Sequence, residues 1–248
     1  MSNLILPSEW TSQPQTPVEI DWSNPLVQAL GLVDVWIPST GILTPTLIRK
    51  FTPVVSVGNF SLGVSASGNS LKYSAVTANN GLIIANDADE LFPVANTTSI
   101  FVIRQSLDTT ARTSTLFGYH VGTTGPDRTL AHAPFSDGNI YWDLGDATTS
   151  TRISVASGGK TTNKEAYTFI GGPTKGREIW RNGRKLAGDA TKTGARASTT
   201  GSFRIGSASN TTNEASDLEG VNLFIIGSKE WPDWAIKALS ANPWQIFK

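Results

Sequence analysis

Carboxylates, histidines and aromatic side chains are the groups here that could do chemistry, and their spacing argues for binding over catalysis. A glycosidase needs two carboxyl groups facing one cleft. On a β-strand that requires acids at alternate positions. The nearest match is Asp87-Ala88-Asp89-Glu90, but Asn86 precedes it and Leu91-Phe92 follow, so the stretch reads as a turn. Asp217-Leu218-Glu219 sits in a polar loop just before Gly220 and offers no better pair. The histidines are His120 and His132, both read as loop residues, and cysteine is absent. No Gly-x-Ser-x-Gly is present to hold a serine beside a base. No set of His and carboxylates has the spacing of a catalytic metal site. No phosphate-cradling Gly-Lys-Ser/Thr ending follows the glycines at 122–125 or 171–172. The expectation is a protein without a catalytic residue.

Sugar recognition asks for less: an aromatic face and a few polar groups that fix hydroxyls. Tyr119-His120, Phe135-Ser136-Asp137 and Tyr141-Trp142-Asp143 each place aromatics beside polar groups near expected strand ends. Tyr119, His120, Asp137 and Trp142 are therefore the candidate carbohydrate-binding residues. Tyr141 and Trp142 are neighbours on one strand, so they point to opposite faces and at least one belongs to the core.

The elements that must position these groups are strands. Leu32–Ile37 ends at Pro38, and Asn59–Val64 alternates with period two. Gly81–Ala85 and Ile100–Ile103 are continuous apolar runs, which suit strands covered on both faces. Thr115–Tyr119, Asn139–Leu144, Arg152–Val155, Ala166–Ile170, Glu178–Arg181, Arg184–Leu186, Ser202–Gly206 and Val221–Ile226 follow. Asn182-Gly183 predicts a type I′ hairpin, which needs positive φ at both central residues. Short strands with turns between them indicate a sandwich or barrel. One helix is expected near the end. Trp231, Trp234, Ala235, Ala238 and Leu239 share a helical face, and Asn242-Pro243 stops it. Trp244, Ile246 and Phe247 form an apolar tail that should return to the sandwich.

Residues 1–29 differ. Pro7, Pro14, Pro17 and Pro25 break regular structure, yet the segment is rich in large apolar groups. Two readings stay open. In one it is an extended arm that lies on a partner or a second subunit through Leu4, Ile5, Leu6, Trp10, Ile20 and Trp22. In the other it packs on its own domain. The expected division is an arm over 1–29 and a sandwich over 30–248. Lys+Arg and Asp+Glu are both 20, so the basic excess of a nucleic-acid binder is missing. A neutral surface also allows self-association, and a homo-oligomer is expected. No basic start with an apolar run suggests a signal peptide, and no apolar stretch is long enough to span a bilayer.

The C-terminal third carries a resemblance. Trp180 with Asn182-Gly183, Phe203-Arg204-Ile205-Gly206, Gly220 before Val221–Ile226, and the helix with Asn242-Pro243-Trp244 together resemble the closing strands of concanavalin A-like, laminin-G-like lectin and glucanase domains. The span is 165–247. The tail Leu239–Gln245 is similar to that of laminin-G-like proteins encoded in tailed-phage and prophage genomes, as are Gln13-Pro14-Gln15 and Ile20–Leu26 at the start. The resemblance implies an all-β, antiparallel jelly-roll sandwich. It also implies a virion structural protein, a head decoration or fibre component, that binds other virion proteins and displays a glycan-binding surface. A free lectin-like module and a glycoside hydrolase of this fold are the alternatives. Calcium is the cofactor the resemblance brings up. Asp137, Asp143, Asp146, Asp217 and Glu219 could contribute oxygens in pairs, but no loop is densely acidic, so no cofactor is assigned.

Overall fold

A computed structural model describes residues 12–14, 18–37, 46–48, 55–57, 60–65, 68–73, 81–85, 87–92, 96–119, 126–145, 151–198, 201–206, 208–209 and 219–248. In chain order they form helix α1 (Pro25–Leu30) and strands β1 (Leu32–Ile37), β2 (Thr46–Ile48), β3 (Val55–Val57), β4 (Phe60–Ser65), β5 (Gly68–Tyr73) and β6 (Gly81–Ala85). Next come β7 (Thr98–Ser106), β8 (Phe117–Tyr119), β9 (Arg128–His132), β10 (Asn139–Gly145), β11 (Arg152–Ala156) and β12 (Lys164–Gly172). The last are β13 (Gly176–Arg181), β14 (Arg184–Asp189), β15 (Phe203–Ile205), β16 (Ala208–Ser209), β17 (Glu219–Gly227) and helix α2 (Asp233–Ala241).

The strands build an all-β sandwich. One sheet runs β14-β13-β12-β7-β17-β1-β2, with β5 on β17 and β4 on β5. The other runs β11-β10-β9-β8-β15-β6-β3, with β16 joining β8. Apart from that parallel β16–β8 contact the pairings are antiparallel. The two sheets enclose a core of Trp36, Ile100, Val102, Phe117, Trp142, Phe169, Phe203 and Phe224 among others. Phe117 sits at its centre, in contact with the rings of Trp142, Phe169, Phe203 and Phe224.

The first sheet is covered on its outer face as well. Val35, Phe101, Ile103, Leu223 and Ile225 point away from the inter-sheet core into a second apolar layer. That layer is closed by Leu26, Val27 and Leu30 of α1, by Ala235, Ile236 and Leu239 of α2, and by Trp231, Trp244, Ile246 and Phe247. The apolar runs Ile100–Ile103 and Val221–Ile226 are explained by this arrangement, because both of their faces are buried.

One open reading is decided here for residues 18–29, and one expectation changes. The segment 18–29 is not a free arm: Ile20 bridges Phe247, and it is buried in the second layer. It also contains a helix that its prolines obscured. Pro25 occupies the first turn, where its missing N–H costs nothing. Asn24 caps the helix by accepting from the Leu26 N–H, and Gly31 ends it with φ of 55°. Leu4, Ile5, Leu6 and Trp10 lie outside the described residues. Trp234 is the correction. It was expected on the inner face of α2, but it is 37% exposed, and Ile236 fills the buried position instead. The Asn182-Gly183 hairpin is present as expected, with φ of 51° and 75° joining β13 to β14.

Candidate functional site

Among the described residues no helix packs on the outer face of the second sheet, and its chemistry-bearing side chains gather on β9, β10 and β11. Along β10 the inward residues are Ile140, Trp142 and Leu144, all in the core. Alternation therefore turns Asn139, Tyr141 and Asp143 outward. Tyr141 is flanked in register by His132 of β9 and Ser154 of β11. Its ring meets His132 and Phe135 edge-on, at 6.0 Å in each case. The Arg152 guanidinium lies 4.8 Å from the ring centroid and takes one of its faces.

Asp137, exposed in the turn before β10, ties this group together. Its Oδ2 accepts from the Tyr141 hydroxyl at 2.5 Å and from Asn139 Nδ2 at 3.0 Å. Its Oδ1 accepts from the Asn139 backbone N–H at 2.9 Å. The carboxylate nevertheless stays exposed to solvent. Burial pushes the Asp137 carboxyl up, but the hydrogen bonds from Tyr141 and Asn139 outweigh it and hold the pKa below its ordinary value. The same contact raises the Tyr141 phenol, with burial adding to the effect. His132 is fixed by Nδ1, 2.7 Å from the Ser114 carbonyl, so Nδ1 carries the hydrogen there.

Next along the face, Asp143 is fully buried between two guanidinium groups. Its Oδ2 accepts from Arg128 Nε at 3.1 Å and from Arg152 Nη2 at 2.7 Å, while Oδ1 accepts from Arg152 Nε at 2.6 Å. This ion triad positions Arg152 over Tyr141. It also occupies the Asp143 oxygens, which removes Asp143 from any calcium-ligand set.

The structure divides the predicted sugar residues. Asp137 is on the surface within the cluster. Trp142 is in the core, with its indole N–H bonded to the Ile170 carbonyl at 2.8 Å, and it cannot meet a ligand. Tyr119 is likewise buried in the inter-sheet core. His120 lies outside the described residues, as do Asp146 and Asp217. Tyr141, Asn139, Phe135 and Arg152 were not selected. For Tyr141 and Asn139 the signal was the alternation of β10, which became readable once Trp142 was placed inside; Phe135 in the preceding turn and Arg152 on β11 are brought to them by the fold. His132, expected in a loop, is a strand residue. Ile20 faces the protein's own second core layer. Trp22 is 59% exposed.

The acidic stretch at 87–90 forms a turn, as expected. Asp87 caps a short 3-10 turn over Ala88–Glu90. Asp89 is held by Arg196 at 2.5 Å and by the Ser198 hydroxyl. Among the described residues no group of three or more His, Cys, Asp or Glu could hold a metal ion, and no helix is long and apolar enough to cross a membrane.

Comparison of the sequence with protein-family models and with curated proteins gives no match. Solved structures do match. The binding domain of botulinum neurotoxin DC in complex with rat synaptotagmin II superposes with a TM-score of 0.63 at 11% identity, over 86% of this chain and 51% of that one. The same domain in complex with SialylT gives 0.60 at 11% identity, over 86% and 51%. Trypanosoma rangeli sialidase in complex with sialic acid gives 0.60 at 14% identity, over 85% of this chain and 33% of that one. The chain thus spans about half the length of the neurotoxin domains (51%). At such identities the likeness is one of fold.

Proposed function

We propose that this protein is a glycan-recognising β-sandwich carried as a structural component of a tailed-phage particle, and that it works without catalysis. The observation that carries the recognition reading is the cluster of Phe135, Asp137, Asn139, Tyr141 and Arg152 at the margin of the outer face of the second sheet. A partly exposed aromatic pair stands beside an exposed carboxylate, an amide and a guanidinium. Sugar hydroxyls would donate to Asp137 Oδ1 and accept from Arg152, and the ring would lie against Phe135 and the free face of Tyr141. That structures of this fold have been solved with a protein receptor and with sugars supports a receptor-binding role. The particle assignment rests on the phage-like text at 13–26 and 239–245. Exposed Trp22, on the N-terminal segment, is a suitable contact for another virion protein. Many copies on one particle would turn weak sugar contacts into avidity.

A glycan array tests the recognition half. Wild-type protein should bind a defined subset of glycans, and Tyr141→Ala and Asp137→Asn should each weaken that binding at least tenfold. Unaltered binding by both variants would sink the assignment of this cluster. Hydrolysis of any arrayed glycan by the wild type would overturn the non-catalytic reading. The particle half is tested by purifying virions from a host that expresses tagged protein. Wild type should co-purify at fixed stoichiometry and Trp22→Ser should not. Absence of the wild-type protein from particles favours a free lectin instead.

A further inference from the structure

Two strand edges lie side by side on this molecule, and they are treated differently. β11 and β14 end their sheets on the same side of the sandwich, where their Cα atoms come within 8 Å of each other. β14 carries the marks of a protected edge. A bulge opposite Ile179 and Trp180 of β13 leaves Leu186 without a register partner, and Arg184, Lys185 and Asp189 put charge along the strand. Bulges and charged side chains both discourage a further strand from adding. β11 has no bulge. It pairs with β10 from Arg152 to Ala156 without a register shift. From Ile153 to Ala156 it holds no charge and no proline. Ser154 and Ala156 are exposed, and Val155 is half-buried. Among the described residues, the backbone groups of Ser154, Val155 and Ala156 have no hydrogen-bond partner other than β10. An exposed, regular edge of this kind is a template for a strand of another chain.

We infer that β11 is the pairing edge for a second copy of this chain, joined antiparallel across a two-fold axis at Ser154 so that the two second sheets become one. The strand's own sequence argues for a copy of itself. Across such an axis the central residue faces itself, and residues equally far from it on either side face each other. With the axis at Ser154 the whole strand is used. Ile153 meets the partner's Val155 and Arg152 meets the partner's Ala156, each twice. Val155 then gains a β-branched neighbour, a favourable cross-strand pair. The two Arg152 side chains fall at opposite ends of the pairing, so like charges do not oppose. The same axis runs β14 head to tail against its copy, which turns its basic start, Arg184 and Lys185, toward the partner's Asp189. A net charge of zero leaves no overall repulsion to overcome. Both outer faces stay on one side of the joined sheet. Tyr141 is in register with Ser154, so the two Tyr141 side chains lie three strand spacings apart, about 14 Å. The pairing stands without the glycan reading; together they place two sugar sites on one surface.

The full chain in solution tests this. In sedimentation velocity the wild type should form a dimer whose share grows with concentration. Ser154→Lys sets two ammonium groups directly against each other on the axis, where like charges destabilise a strand pair. It should sediment as a monomer at every concentration at which the wild type is a dimer. Ser154→Cys gives a chain without cysteine a single thiol, placed on the axis. Directly opposed residues of an antiparallel pair have Cα atoms about 4.5–5.5 Å apart, which is within disulfide range. Mild oxidation should convert this variant to a covalent dimer at least tenfold faster than Ser23→Cys, an exposed position beside α1. If Ser154→Lys fails to fold, the cross-linking rates carry the comparison. The inference is overturned by a wild type that stays monomeric, by a dimer that Ser154→Lys leaves intact, or by cross-linking of Ser154→Cys no faster than that of Ser23→Cys. None of these results depends on sugar binding, so the Tyr141 reading is judged separately.

Discussion

At the scale of single residues, two adjacent aromatics have opposite jobs. Trp142 and Tyr141 differ by one position, and the strand's period of two sends one into the core and the other to the surface. Trp142→Ala should cost about 3–5 kcal/mol, the range for an emptied aromatic core site. It should lower the urea midpoint without changing the slope. Tyr141→Ala should leave the midpoint nearly unchanged and act on binding. A result the other way round would reverse the faces of β10. A second prediction concerns acid. Asp108 is held by Arg112 through two hydrogen bonds, and by the buried ammonium of Lys160 at 3.0 Å. Its carboxyl therefore titrates well below the ordinary 3.8, chiefly through the Arg112 contact. A depressed carboxylate contributes stability that is complete above its unfolded pKa and is lost as pH falls toward the folded value. Thermal unfolding should show this loss below pH 3.8. In Asp108→Asn that acid limb should be flatter, and the protein less stable at neutral pH, where Lys160 loses its counter-charge.

At the scale of elements, the short helix α1 depends on its cap and on the tail. Asn24 accepts from the Leu26 N–H at 2.9 Å and donates from Nδ2 to the Gln245 carbonyl at 2.8 Å. One side chain thus closes a helix start and pins the C-terminal turn over Pro243–Ile246. Asn24→Ala should cost about 1–2 kcal/mol. Hydrogen exchange should speed up at residues 243–247 as well as at 25–30. If only the first helix responds, the pin is not operating. The β13–β14 hairpin, by contrast, was legible without any tertiary contact, because Asn182-Gly183 satisfies a local requirement for positive φ.

For the whole molecule, the decisive feature is that the two sheets differ in what covers them. The first is buried on both sides, so residues 18–30 are part of the fold. Removing residues 1–11 keeps all of the second-layer residues in the chain and serves as the reference truncation. Removing residues 1–31 strips Ile20, Leu26, Val27 and Leu30 from the second apolar layer. The exposed surface of Val35, Phe101 and Ile225 should make that shorter protein aggregate or unfold. Light scattering and circular dichroism on both truncations check this. A stable, non-aggregating 32–248 would show that α1 is an accessory and not a closing element.

The sequence by itself determined what local rules decide. Strand count and period gave an all-β sandwich. The type I′ hairpin, the helix before Asn242-Pro243 and the turn at 87–90 were each readable from residue type and spacing. It also showed that one of Tyr141 and Trp142 must be core, without saying which. Only the tertiary structure decided the rest. A strand's alternation names two faces, but which one is inside depends on where the opposite sheet lies. The prolines at 14 and 25 are compatible with an arm or with a packed cover, and the choice depends on the apolar face against which the chain around Pro25 packs.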